Sequence, residues 1–135
     1  MPASDALAAL PDVARLTVHA GQVLVYPRHT PPGIFVVQRG ALCRFAEGTL
    51  PAAGCGQRFD AADGRFAVPA PEELGAPAAA GVLAETDVEL LFIPRSVVLE
   101  GPAVAAALAA AGVTVVGLGR LGPGGNEAAT RRRAR

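Results

Sequence analysis

Short runs of apolar residues, separated by Pro and Gly, follow one another from residue 13 to residue 93. Three of them lie close together, at Val23–Tyr26, Ile34–Val37 and Ala41–Phe45, and a Pro-rich segment and Gly40 separate them. Val, Ile, Phe and Tyr are frequent in strands, whereas Pro and Gly end them. The pattern therefore predicts three consecutive strands, and the rest of the chain is organised around this stretch.

The other apolar runs predict further strands and a helical end. Val13–His19 alternates between two faces, which predicts a strand with Leu16 and Val18 facing the core. The remaining predicted strands are Arg58–Asp60, Phe66–Val68, Ala80–Ala84 and Val88–Ile93, and the predicted helices are Asp5–Leu10, Arg95–Leu99 and Ala103–Ala111. About eight short strands followed by helices predict a mainly β fold: a double-stranded β-helix, or jelly roll, with terminal α-helices.

Length and charge divide the chain into a body and a tail. At 135 residues the chain is long enough for one domain with one core, which we place at residues 1–119. Residues 120–135 are rich in Gly and Arg and are predicted to be a disordered tail. The body carries seven Arg and eleven acidic residues, which argues against a nucleic-acid-binding face on it. The Arg131–Arg135 end is expected to be solvated, or to bind an acidic partner weakly.

The cysteines and the N-terminus bear on location. Cys43 and Cys55 form neither a disulfide scaffold nor a spaced zinc motif, and Met1–Leu10 has no basic start followed by an apolar run. The sequence therefore predicts a cytoplasmic protein with two free thiols.

No constellation of catalytic or metal-binding residues is visible. Ser4 and Ser96 are the only serines, and neither lies in a nucleophile motif. The four candidate metal or haem ligands lack the spacings of known sites; they are His19, His29, Cys43 and Cys55. The sequence therefore predicts neither an enzyme nor a cofactor or metal site.

Two features of the C-terminal region suggest other functions. Residues 117–122 match G-x-G-x-x-G, but too few residues follow for the helix and acidic residue that a dinucleotide site requires. Residues 101–119 are uncharged, yet they are mainly Ala and Gly rather than Leu or Val. This segment is therefore expected to pack on the strands, or against a second copy, rather than in a membrane.

Three segments resemble one known family. They are Ala20–Leu24 with its opening glycine, Ile34–Gly40 with its hairpin glycine, and Val82–Arg95, a pair of strands leading into a helix. In order and spacing they resemble the cyclic-nucleotide-binding domain, as in the effector half of catabolite-activator-type regulators, over roughly residues 13–112. A further glycine of the family pattern is Arg28 in this chain.

The resemblance implies a β-roll with a phosphate-binding cassette, in which a Glu contacts the ribose and an Arg contacts the cyclic phosphate. The equivalent segment of this chain is residues 72–80, and its candidate ligand-binding residues are Glu73, Leu74, Gly75, Ala78, Ala79 and Ala80. Alanines stand where the family has Arg-Ser-Ala, and no Arg lies between Arg65 and Arg95. Because a buried phosphate without a cation is costly, cyclic nucleotide binding in the family's manner is expected to be weak or absent.

These observations favour a stand-alone regulatory or sensor module. One alternative is a structural adaptor that self-associates through its C-terminal helix, by Ala103, Ala107, Leu108 and Ala111. Another is a β-roll that binds cyclic AMP, cyclic GMP or a different small ligand through a remodelled cassette. The family usually continues into a helix-turn-helix, and the Gly-rich tail found here predicts no direct DNA binding by that route.

Overall fold

The computed structural model describes Leu7, residues 9–46 and residues 56–119. The strands are β1 Ala14–Val18, β2 Val23–Val25, β3 Gly33–Arg39, β4 Ala41–Ala46, β5 Gln57–Asp60, β6 Phe66–Val68, β7 Ala80–Ala84, β8 Val88–Pro94 and β9 Thr114–Val115. The helices are α1 Arg95–Leu99 and α2 Ala103–Ala110, and 3₁₀ turns lie at Ala61–Asp63 and Pro71–Glu73.

The strands form two sheets, which confirms the mainly β jelly roll. One sheet has the order β1-β8-β3-β6-β9, and the other has the order β2-β7-β4-β5. All neighbouring strands are antiparallel except β6 and β9, which are parallel. Except for β4 and β5, strands from β1 to β8 that follow one another along the chain lie in different sheets, so the chain winds around a shared interior.

The larger sheet is buried on both faces. On β3, Phe35 and Val37 belong to the apolar cluster shared with the other sheet, whereas Ile34 and Val36 belong to the cluster that contains the helices. Side chains alternate between faces along a strand, so a strand covered on both sides is apolar without interruption. This explains why residues 34–37 form a continuous apolar run rather than an alternating one.

Strand β1 shows where the alternating pattern misled. Val18 is 7% exposed and lies in the core, but Leu16 is 40% exposed, so the prediction that Leu16 faces the core is wrong. β1 is an edge strand that pairs only with β8, and its residues become buried only at its C-terminal end. An alternating pattern tells which residues share a face, but not how far the opposite layer extends over that face.

Two left-handed positions fix the turns of the family pattern. Gly40 joins β3 to β4 with φ of 99°, and a Cβ there would lie 2.5 Å from the carbonyl oxygen of Asp87. Arg28, which stands where the family has a glycine, has φ of 72°, in the region that glycine favours. The backbone of this turn therefore has a conformation that glycine adopts more readily than arginine.

Helix α2 packs its apolar face against the roll. Three of the four residues predicted to pair with a second copy, Ala107, Leu108 and Ala111, are between 1% and 9% exposed and lie in the core cluster with the larger sheet. Only Ala103 of the predicted set is exposed. The chain itself covers these three side chains, and self-association through Ala103 stays a prediction.

Several predictions concern residues outside the described ranges. They include half of the Asp5–Leu10 helix, Cys55 and the 120–135 tail, although Leu7 is fully buried. Cys43 is disulfide-bonded, so the prediction of free thiols is wrong for this residue. No helix within the described residues is long and apolar enough to span a membrane.

Candidate functional site

The segment between β6 and β7 is ordered by the carboxylate of Glu73. Residues Pro71–Glu73 form a 3₁₀ turn, and the backbone N–H of Ala70 donates to Oε1 of Glu73 at 2.9 Å. Proline suits the first position of such a turn because its missing N–H would have no partner there. The turn holds the half-buried Glu73 side chain at the end of the roll where the cassette was predicted.

The same carboxylate binds two consecutive backbone amides from the far end of the chain. The N–H of Leu118 lies 2.9 Å from Oε1 and 3.1 Å from Oε2, and the N–H of Gly119 lies 2.7 Å from Oε2. Hydrogen bonds to an ionised carboxylate are stronger than those between neutral groups. Both oxygens of the acidic residue predicted to contact a ligand are therefore engaged by the protein's own backbone.

We call residues 113–119 the closing segment, because they extend across this end of the roll. The segment begins with β9, which pairs with β6, and the N–H of Val116 continues the ladder by donating to the carbonyl of Ala67 at 2.8 Å. At its end, the carbonyl of Gly119 accepts from the N–H of Ala79 at 3.1 Å. Leu118 is 1% exposed and lies in the cluster between the sheets. The segment is thus held by both sheets and by the cassette.

The structure disperses the six predicted ligand-binding residues. Leu74 is fully buried among the residues that pack on the helices, and Gly75 is exposed. The backbone of Ala78 exchanges two hydrogen bonds with the turn at residues 28–29, at 2.8 and 2.9 Å. Glu73 and Ala79 contact the closing segment. Of the six residues, Ala79 and Ala80 line a cavity, and Glu73 does not.

That cavity has a volume of about 330 Å³ and lies between β4, β5, the start of β7 and the closing segment. Leu118 forms one wall, and the half-buried Arg44 and the exposed Gln57 form another. Nη1 of Arg44 is 3.4 Å from Oε1 of Gln57 and 3.4 Å from the carbonyl oxygen of Gly117. Both distances are long for hydrogen bonds, so these contacts hold the guanidinium only weakly.

Arg44 was not among the predicted site residues. The resemblance placed the phosphate-binding Arg of the family in the segment 72–80, where this chain has alanines instead. The register β5-β4-β7 instead places Arg44 opposite Gln57 on one side and Val82 on the other, close to Ala79 and Ala80 in space. The feature of the sequence that could have pointed to Arg44 is that it is the single charged residue of the apolar strand Ala41–Ala46.

Arg44 differs from Arg58, which has acidic partners, and resembles Arg65 in having none among the described residues. Arg58 forms an ion pair with Asp60 at 3.0 Å and another with Glu85, and the hydrogen bond to Glu85 is the main reason that the pKa of Arg58 is raised above its usual value. Arg65 donates from Nη2 to the carbonyl of Ala111 at 2.9 Å. Among the described residues, no carboxylate lies within ion-pair distance of Arg44. Its positive charge is therefore not neutralised by this part of the chain.

Comparison with known proteins gives a likeness in structure but not in sequence. No family model and no curated protein matches the chain. The C-linker/CNBHD of zELK channels superposes with a TM-score of 0.58 at 16% identity, over 84% of this chain and 59% of that one. A putative cyclic nucleotide binding protein from Ruegeria pomeroyi has a TM-score of 0.53 at 18% identity, over 83% and 50%.

A third solved structure agrees with these two. The cyclic nucleotide-binding-like protein from Brucella abortus has a TM-score of 0.53 at 21% identity, over 72% of this chain and 84% of that one. The chain spans between half and three fifths of the first two structures. A shared fold does not by itself transfer a ligand or an activity. The two sheets, their strand order and these superpositions show that the chain has the fold of the cyclic-nucleotide-binding domains.

Proposed function

We propose that this chain is a regulatory module that does not bind a cyclic nucleotide in the manner of the family, because its closing segment occupies the acidic end of the cassette. The observation that carries the proposal is the pair of hydrogen bonds from the N–H groups of Leu118 and Gly119 to the carboxylate of Glu73. The solved structures that resemble this chain include proteins described as binding or regulatory proteins, which supports a non-enzymatic role.

A ligand that used Glu73 would have to displace these contacts. Hydrogen bonds to a charged group contribute about 1.5–3 kcal/mol each, and burial of a leucine such as Leu118 contributes about 1.5–3 kcal/mol. Losing two such bonds and the leucine burial would cost about 5 kcal/mol or more, which lowers an affinity by at least several thousandfold. The alanines at positions 78–80 offer a phosphate no charge in compensation.

Two measurements on the full chain test this proposal. Amide hydrogen exchange should show that the N–H groups of Leu118 and Gly119 are protected, since both are bonded to Glu73. Calorimetric titration with cyclic AMP and with cyclic GMP should show no micromolar binding. Micromolar binding of either nucleotide, or exchange at Leu118 as fast as at an exposed turn, would contradict the proposal.

The adaptor alternative would need a different surface from the one that the sequence predicted. The exposed residues of α2 are all alanines, at positions 103, 105, 106, 109 and 110. An apolar cavity of about 370 Å³ lies beside Ala105 and Ala109 and extends to Val115, which is 42% exposed. Small interfaces give weak association. Sedimentation of wild-type protein and of Ala109→Glu at high concentration decides this alternative, and a strictly monomeric wild type removes it.

A further inference from the structure

We infer that the cavity beside Arg44 binds a small organic anion, a carboxylate or phosphate attached to an apolar body. The inference rests on the proposed function in one respect only: it takes the closing segment as a fixed wall of the cavity. The site does not use Glu73, so it differs from the predicted ribose contact.

The size of the cavity favours a small ligand. Ligand pockets usually measure about 300–1,000 Å³, and the 330 Å³ here lies at the lower end of that range. Leu118, whose side chain lies in the apolar cluster between the sheets, forms one wall of the cavity and limits its size. The remaining space suits a single substituted ring or a short chain better than a whole nucleotide.

The charge of the lining favours an anion. Arg44, a half-buried residue, brings a guanidinium to the cavity, and no acidic residue is among the described residues that line it. A guanidinium has five N–H donors, and only Nη1 of Arg44 contacts the described part of the chain, at 3.4 Å to each of two oxygens. A carboxylate or phosphate can accept two parallel bonds from the same group at shorter distance. Binding would therefore supply Arg44 with the counter-charge that its surroundings lack.

The rest of the wall suits an apolar body with one polar contact. The side chains of Ala79 and Ala80 and of Leu118 are apolar, and Gln57 presents an amide beside Arg44. Alanines at positions 79 and 80 leave room that larger side chains would fill. The alanines of the cassette thus leave open the space that Arg44 faces from the neighbouring strand β4.

The test is an NMR titration of the full chain with three probes: phenyl phosphate, benzoate and inorganic phosphate. At least one of the two organic anions should shift the amide signals of Ala79, Ala80 and Leu118 in a saturable manner. Inorganic phosphate should bind about tenfold more weakly than phenyl phosphate, because it buries no apolar surface.

Substitutions locate the site. Arg44→Gln should weaken binding of the organic anion about tenfold or more, since a charge-assisted hydrogen bond is lost. Arg44→Lys should keep part of the affinity, and Arg39→Gln, at an exposed position on β3, should bind as the wild type does. Ala79→Leu should abolish binding by filling the cavity without changing any charge.

Several results would overturn the inference. They are the absence of saturable shifts with both organic anions, equal affinity in Arg44→Gln and wild type, equal binding of inorganic and phenyl phosphate, and unchanged binding in Ala79→Leu. Amide spectra of each variant establish that it is folded, and Arg44→Lys provides the comparison if Arg44→Gln is not. Protection of Leu118 from exchange is measured separately, so a failed anion site and a failed closing segment give different results.

Discussion

Replacing Glu73 with Gln should loosen the closing segment without unfolding the roll. The carboxylate accepts N–H bonds from Ala70 at 2.9 Å, from Leu118 at 2.9 and 3.1 Å, and from Gly119 at 2.7 Å. Glutamine has the same shape but only one acceptor oxygen and no charge. Its NH₂ group would face a donor at one of these positions, so at least one bond must be lost.

The size of the effect follows from the kinds of bond involved. Bonds to a charged group contribute about 1.5–3 kcal/mol and neutral ones about 0.5–1.5 kcal/mol. Loss of the Gly119 bond and weakening of the Leu118 bond together should cost about 2–3 kcal/mol. A change of that size accelerates exchange through local opening by roughly 30- to 150-fold. It is also a sizeable part of the ~5–15 kcal/mol by which a domain is stable.

The assay compares Glu73→Gln with Glu100→Gln, a matched change at an exposed position. Amide exchange should accelerate at Leu118 and Gly119 in the first variant and remain at wild-type rates in the second. Amides in β3, at the centre of the larger sheet, should change much less in both variants. Equal exchange at Leu118 in Glu73→Gln and wild type would refute the claim that the carboxylate holds the segment.

Three further predictions concern the packing and the turns, and each is tested by urea denaturation of the variants. Leu118→Ala should destabilise the fold by about 2–4 kcal/mol, because a side chain that is 1% exposed leaves a cavity between the sheets. Gly40→Ala should cost more than Gly64→Ala: both have positive φ, but only the first places a Cβ 2.5 Å from a backbone oxygen. Leu16→Thr should change stability by less than about 0.5 kcal/mol, whereas Val18→Thr, in the core, should cost about 1–2 kcal/mol.

Each of these comparisons has an outcome that contradicts its reasoning. A neutral Leu118→Ala would mean that the closing segment is not part of the core. Equal costs at Gly40 and Gly64 would mean that backbone conformation alone, and not the close approach, constrains the β3–β4 turn. A large loss in Leu16→Thr would mean that Leu16 is covered in the protein.

The local pattern of apolar, Pro and Gly residues was sufficient to predict most of the strands and both described helices. Eight of the nine strands and both described helices lie where apolar runs and Pro and Gly placed them, with ends shifted by at most a few residues. The pattern is informative because strands buried on one or both faces must be apolar at fixed intervals, and turns must admit positive φ. The resemblance to the cyclic-nucleotide-binding domain rests on the same features, and Arg28, at a glycine position of that pattern, has a left-handed φ.

The site depended on contacts between residues far apart in the chain. Glu73 was predicted from its place in the cassette, but its partners lie 45 and 46 residues away in the closing segment. β9 was not predicted, since a two-residue strand exists only through its parallel pairing with β6. Arg44 reaches the cavity through the register of β4 with β5 and β7. The sequence by itself determined which residues form strands and turns, because those choices are local. Only the tertiary structure decided which backbone satisfies Glu73 and which cation faces the cavity, because these depend on how the sheets bring distant segments together.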